Sequence, residues 1–155
     1  MLETNPLTYY QSPLGCIRIR HRGAAPASLS FIPRKPAQGA WLKKNSGLWR
    51  QLEAYFKKGS GKFSVSLKDA GTPFQRKVWK ALLSVPYGRT VSYSQIAERI
   101  GKKKSVRAVA NAVGQNRLPI LVPCHRVIGK DGSLTGYAYG LRKKAWLLRH
   151  ERGSG

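Results

Sequence analysis

Hydrophobic and polar positions alternate in the first third of the chain, and the period then changes. Residues 7–11 and 16–20 read as two short strands joined by Ser12-Pro13-Leu14-Gly15, whose Pro and Gly suit a tight turn. Residues 28–32 read as a third strand before a Pro-rich loop. From Ser46 onward, Leu48, Leu52, Tyr55 and Phe56 fall on one helical face, with Gly59 as a stop. Residues 68–71 predict a linker. Beyond it, Thr72-Pro73-Phe74-Gln75 opens a helix with a capping Thr, a Pro in the first turn and a Gln three residues after the cap. Phe74, Val78, Leu82 and Trp79 are its expected core face, until Pro86 ends it. Ser92-Tyr93-Ser94-Gln95 repeats the capping box and starts a short helix through Ile96, Ala97 and Ile100, closed by Gly101. A further helix spans about residues 105–114 through Val106, Val109, Ala110 and Val113, and a last one about residues 141–151 with Leu141, Ala145 and Leu148 on one face and Trp146 nearby. The expected class is α/β in the α+β sense. A small N-terminal sheet-plus-helix domain precedes a mainly helical C-terminal one.

The consecutive helices around Gly101 have the pattern of a helix-turn-helix, and equally that of two packed structural helices. Lys102, Lys103 and Lys104 fall in the turn and Arg107 begins the second helix, where cations would lie against phosphates if that helix entered a groove. The small residues Ala108, Ala110 and Ala112 would permit a close approach.

Charge sharpens this reading. Of 155 residues, 29 are Lys or Arg and 6 are acids, a formal +23. Twelve basic residues face three acids before Gly71, and seventeen face three from it onward, so the second half is the expected contact surface. Such a field draws polyanions, nucleic acid first, although a basic surface also serves solubility. Hydrophobic residues at 41% suffice for a core, which excludes wholesale disorder. No apolar run reaches the roughly 18 residues of a membrane span, and no secretory signal pattern opens the chain. Two cysteines, Cys16 and Cys124, without a CxxC pair or clustered His, argue against a disulfide scaffold or a zinc site and predict a reduced, cytoplasmic, metal-free protein.

One cysteine has chemical neighbours. The run Ile120-Leu121-Val122-Pro123-Cys124-His125-Arg126-Val127 is apolar until Pro123 and then presents Cys, His and Arg. A neighbouring imidazole and guanidinium can favour a thiolate, and an acid can orient the histidine; Glu151 is the candidate among so few acids. Most lone cysteines are inert core residues, and Cys16, in a strand, reads as one.

Pro123-Cys124-His125-Arg126-Val127 resembles the active-site sequence of the O6-alkylguanine-DNA alkyltransferases, direct-reversal repair proteins. Further landmarks keep the family's order and spacing: Pro86-Tyr87-Gly88, Val91-Ser92-Tyr93, Arg107-Ala108-Val109, Asn116, Pro119-Ile120-Leu121, Gly136-Tyr137, Trp146-Leu147-Leu148 and His150-Glu151. The resemblance covers about residues 72–151. It implies a DNA-binding alkyltransferase domain at 72–152, after a ribonuclease-H-like α/β domain of structural role at 1–68.

The resemblance also implies roles. The helix-turn-helix takes the minor groove of duplex DNA carrying O6-alkylguanine. Ser92, Lys102, Lys103, Lys104, Ala108 and Arg126 join its DNA contacts. Arg107 fills the gap left by the extruded nucleotide, and Tyr93 crowds the target phosphate. Flipping is required because the alkylated oxygen is unreachable within the stack. Asn116 braces the turn before the active-site strand, Pro119 walls the pocket, and the carbonyls of Cys124 and Val127 read the guanine amine. Cys124 takes the alkyl group in one displacement, with His125 acting as base through a water, Glu151 holding it, and Tyr93 giving a proton to guanine N3. The thioether product makes each molecule a single-use reagent, monomeric and without a cofactor. After Gly136-Tyr137 the family carries a small residue and two glycines, where this chain has Ala138-Tyr139-Gly140. The amide of Ala138 still reaches the guanine oxygen, while Tyr139 either narrows the pocket mouth or turns to solvent or the DNA backbone. A non-catalytic relative that flags lesions has a tryptophan in place of the nucleophile, and Cys124 argues against it. A plain DNA-binding module leaves the Pro-Cys-His-Arg run unexplained, and a cysteine hydrolase leaves the +23 unexplained.

Overall fold

In the computed structural model, which describes residues 6–153, the N-terminal strands pair as their alternation predicts. β1 (Leu7–Ser12), β2 (Gly15–Arg22) and β3 (Ala25–Ile32) form an antiparallel meander, and a two-residue β4 (Ala40–Trp41) adds parallel to β1, giving the order β3-β2-β1-β4. β4 lies in the Pro-rich stretch read as loop, because two residues are too few to show a period. Tyr10, Ile17, Ile19 and Leu29 are the buried row, and α1 (Gly47–Lys58) contributes Leu52, Tyr55 and Phe56. The Tyr10 ring stacks on Phe56 at 6.1 Å, and its hydroxyl donates to Glu53. Each such side chain contributes about 1.5–3 kcal/mol on burial. Ser46 caps α1 by accepting from the Trp49 amide, and Gly59 ends it at φ 68°, a left-handed conformation that glycine adopts without strain.

The chain divides into two compact units, one through Phe63 and the other from Ser64. In the second, α2 (Pro73–Leu83), α3 (Tyr93–Arg99) and α4 (Val106–Gly114) pack on one another. Both expected capping boxes form: Thr72 with Gln75 on α2, and Ser92 with Gln95 on α3. Each is worth about 1 kcal/mol. Trp79 donates its indole N–H to the Ala112 carbonyl at 2.8 Å, tying α2 to α4. Ala112 is therefore a core residue, while Ala108 stays exposed. Between α3 and α4 the turn runs through Gly101 at φ 74° and leaves Lys102, Lys103 and Lys104 exposed. A short parallel pair, β5 (Val91–Ser92) with β6 (Val127–Ile128), connects the start of α3 to the reactive run.

The last helix, α5 (Leu141–Glu151), turns a different face inward from the one expected. Lys144, Leu147, Leu148 and Glu151 are buried, and Leu141 is 48% exposed. The apolar count could not foresee this, because two of the inward residues are charged and are held by specific partners. Among the described residues, no helix is long and apolar enough to cross a membrane.

Candidate active site

Cys124, His125 and Arg126 form a single 3-10 turn between the apolar run and β6. Asn116, just past α4, sets up that approach: its amide donates to the Val122 carbonyl at 2.8 Å and its side-chain oxygen accepts from the Leu118 amide at 3.0 Å. Within the bracket, Ile120 is held at φ 75°, a conformation that costs a β-branched residue on the order of 1–3 kcal/mol.

The three side chains of the turn diverge. His125 is fully buried, and its Nε2 lies 2.5 Å from Glu151 Oε2. Arg126 forks onto the same carboxylate, Nε to Oε1 at 2.7 Å and a terminal nitrogen to Oε2 at 3.2 Å, and its other terminal nitrogen donates to the Val85 carbonyl at 2.7 Å. The Gly88 amide adds a donor to Oε1, and a side chain at Gly88 would meet the Glu151 carbonyl at 3.1 Å, so the close approach there needs glycine. Burial opposes the charge on Glu151, but the hydrogen bonds and charges of His125 and Arg126 outweigh it and hold the carboxyl down at about 2. Burial pushes His125 below its ordinary value despite Glu151, so at neutral pH the ring is uncharged. With Glu151 ionised, the proton belongs on Nε2, and Nδ1 keeps its lone pair. Nδ1 is buried with no hydrogen-bond partner among the described residues. A neutral imidazole with one nitrogen anchored and a lone pair on the other has the chemistry to accept a proton.

Arg126, expected among the DNA contacts, is 4% exposed and clamped inside the protein. Nor does it draw the thiol toward thiolate, as its place in the sequence suggested. Burial pushes the Cys124 thiol up; the Asn116 amide, the Lys144 charge and the backbone amides of Cys124 and His125 pull the other way. The resting group is a thiol.

Cys124 opens onto a cavity of about 200 Å³. Tyr93, Asn116, Pro119, Tyr137, Ala138 and Tyr139, all expected at the site, line it with the cysteine. Tyr93 begins α3 and donates to the Thr135 carbonyl at 3.3 Å. Tyr137 and Tyr139 meet edge to face at 5.9 Å, so Tyr139 is a wall of the cavity. The Tyr137 hydroxyl is buried without a hydrogen-bond partner among the described residues. Val127, expected to read the base, is fully buried in the β5–β6 ladder and does not line the cavity, and its amide donates to the Cys124 carbonyl. Ser92 caps α3 and does not line the cavity, and Arg107 is exposed on the first turn of α4.

Lys144 escaped the sequence reading. It is fully buried in α5 and its Nζ donates to the carbonyls of Thr135 at 2.7 Å and Gly136 at 3.2 Å. Burial lowers it to about 8, and a thiolate formed at Cys124 would act to raise it. The position of Lys144 between two apolar residues of the helix face was the available clue.

Comparison with known proteins agrees with this arrangement. Residues 73–153 match the 6-O-methylguanine DNA methyltransferase, DNA binding domain family. The chain is 40% identical over 146 residues to the methylated-DNA–protein-cysteine methyltransferase of Mycobacterium leprae, covering 91% of this chain and 88% of that one. It is 43% identical over 149 residues to the protein of that name from Methanosarcina barkeri, covering 91% and 93%. The crystal structure of Mycobacterium tuberculosis O6-methylguanine methyltransferase superposes with a TM-score of 0.81 at 38% identity, over 97% of this chain and 94% of that one. The same mycobacterial protein in complex with DNA also superposes at 0.81, over 95% and 92%. With residues 73–153 matched by the family model and 91% of its length covered by relatives at 40–43% identity, the chain belongs to the methylated-DNA–protein-cysteine methyltransferase family.

Proposed function

We propose that this protein repairs DNA directly, moving the alkyl group of O6-alkylguanine in a duplex onto Cys124. The observation that carries the reading is a buried thiol on a base-sized cavity beside a neutral histidine anchored by an ionised glutamate. Because the thiol rests protonated, its proton must leave as the bond forms. His125 Nδ1 takes it through a water, and Glu151 stabilises the imidazolium that results. Sulfur then attacks the alkyl carbon in line, the S–C bond forming as the C–O6 bond breaks. Tyr93 gives its proton to N3 of the departing guanine and recovers one from the imidazolium, so the step balances. The product is a thioether, which stays on the protein.

Residues 72–152 carry this chemistry. The lysines after α3 meet phosphates, Arg107 enters the stack where the nucleotide leaves, and the small exposed Ala108 keeps α4 close to the groove. Pro119 and Asn116 wall the pocket, the Ala138 amide donates to the guanine oxygen, and the unsatisfied Tyr137 hydroxyl gains a partner when a base enters. The reaction requires no cofactor and no second copy of the chain, and two unpaired cysteines suit the reducing cytoplasm.

Titration with a duplex bearing O6-methylguanine tests the reading. Repair should stop at one alkyl group per chain, and Arg107→Ala should slow the duplex reaction about tenfold more than reaction with free alkylguanine, which needs no flipping. Continued turnover on excess substrate would contradict it.

A further inference from the structure

The exposed face of the N-terminal sheet takes no part in the chemistry above. Alternation puts Tyr10, Ile17, Ile19 and Leu29 on the buried face; on the opposite face Cys16 is covered, Tyr9, Ser28 and Ser30 are half-buried, and Arg18, Arg20 and Trp41 are exposed. Along one row, from strand to neighbouring strand, the register sets Ser30, Arg18, Tyr9 and Trp41 side by side, and the next row holds Ser28 and Arg20. Tyr9 and Trp41 meet edge to face at 6.5 Å, and Trp41 remains 50% exposed. Arg18 and Arg20 are exposed, and neither has an acidic partner among the described residues.

Two features separate this face from an ordinary solvated one. The first is charge of a single sign. Residues 1–63 hold eleven Lys or Arg and two Glu, and the described one, Glu53, is held by Lys57 and by the hydroxyl of Tyr10 on the buried face. Among the described residues no acid faces Arg18 or Arg20, and a polyanion is the complement of such a field. The second is an aromatic pair beside those arginines, an exposed Trp41 against a half-buried Tyr9. Rings next to guanidinium groups on a flat sheet give π-faces for stacking and charge for the phosphates between the stacked bases. A paired duplex hides its base faces within the stack, so stacking of this kind selects unpaired nucleotides.

We propose that the open face of β1–β4, through Trp41 and Tyr9 with Arg18 and Arg20, is a second nucleic-acid contact that binds a single DNA strand, independently of the helix-turn-helix. The proposal gives the N-terminal unit a ligand of its own, and it stands or falls apart from the alkyl-transfer reading.

The test uses the full chain, saturated with a lesion-free duplex so that the helix-turn-helix is occupied, and a labelled oligo-dT strand followed by fluorescence anisotropy. The strand should bind despite the duplex. Trp41→Ala should weaken strand binding about tenfold or more. The pair Arg18→Ser with Arg20→Ser should reduce the salt slope by about 1.4, at roughly 0.7 per phosphate contact on a single strand. Alkyl transfer from a methylated duplex should be unchanged in both variants, which shows that they fold. Ultraviolet cross-linking of the strand to the unsubstituted chain should map to peptides containing Tyr9 or Trp41. Undiminished strand binding by both variants overturns the proposal, as does a cross-link map confined to residues after 64, whatever the variants do.

Discussion

The chain places its two cysteines in interiors of similar burial and dissimilar purpose. Cys16 lies in β2 between Gln11 and Ile32 of the adjacent strands, 3% exposed, and Cys124 is 9% exposed on its 3-10 turn. Burial raises both thiols, and a lysine pulls each back down: Lys35 for Cys16, and Lys144, after the Asn116 amide, for Cys124. The direction of the shift does not tell them apart. What distinguishes Cys124 is a cavity that it lines and a neighbouring histidine with one nitrogen held by a locked carboxylate and the other without a hydrogen-bond partner among the described residues. In the proposed mechanism reactivity is a matter of removing a proton at the moment of attack, in place of storing a thiolate beforehand. That also protects an unspent protein, since a buried neutral thiol resists adventitious oxidation.

The largest effect should come from exchanging the two thiols for hydroxyls one at a time. Cys124→Ser should abolish alkyl transfer and keep lesion-DNA binding, whereas Cys16→Ser should leave the rate within about twofold, as expected of a small packing change away from the chemistry. A gel assay of bound duplex and a count of transferred label separate the two properties.

Next is the lock. Glu151→Gln frees the imidazole to choose either tautomer and removes the charge that supports the imidazolium, at a cost on the order of 10²–10⁴ in rate. Its signature extends to stability. The folded carboxyl titrates at about 2 against an ordinary 4.5, so its contribution is fully present above pH 4.5 and is lost as pH falls toward 2. His125, lowered in the folded state, adds a loss of the same sign as pH falls through 6.5, because the unfolded ring takes up a proton more readily than the buried one. Urea midpoints between pH 7 and pH 3 should therefore fall in the unsubstituted protein and flatten below pH 4.5 in Glu151→Gln.

A smaller effect attaches to Lys144. Replacing it by Met keeps the apolar stem and removes the ammonium that eases loss of the thiol proton, so the neutral-pH rate should fall, by less than in Glu151→Gln. Because Lys144 itself loses its proton near 8, the rate of the unsubstituted protein should rise less steeply above that pH, and the break should vanish in Lys144→Met. Matching pH–rate slopes in the two proteins would assign Lys144 to holding the 135–136 carbonyls alone.

The smallest effect is one of selectivity. Tyr139 walls the cavity where the family's sequence has glycine, so Tyr139→Gly should raise the rate on free O6-benzylguanine more than the rate on methylated duplex. A constant ratio of the two rates would remove Tyr139 from the gate.

Local chemistry made much of this molecule readable in advance. Thr72 with Gln75, Ser92 with Gln95 and Gly59 act within one turn of themselves, so their sequence context is nearly their whole environment. The Pro-Cys-His-Arg run stood out by its composition, whereas the Asn116 bracket was expected only through the resemblance to the alkyltransferases. What the sequence hid depends on distant partners. Arg126 looked like a cation for phosphate because nothing near it in the chain shows that Glu151, twenty-five residues away, and Val85, forty-one away, claim its donors. Lys144 drew no notice because the carbonyls that satisfy it belong to a loop with no period. Leu141 looked buried because its helix was scored for apolar residues, whereas two charged ones hold the inward face. β4 and the β5–β6 pair are two-residue strands, defined only by the partner they meet.

Peptide mass mapping after reaction with O6-methylguanine duplex tests the central claim most directly, since it reads which of the two buried thiols reacted. The account predicts the added mass of one methylene group on the peptide carrying Cys124, at one per chain, with Cys16 unmodified. A methyl group on Cys16, or on both cysteines in comparable yield, would contradict it.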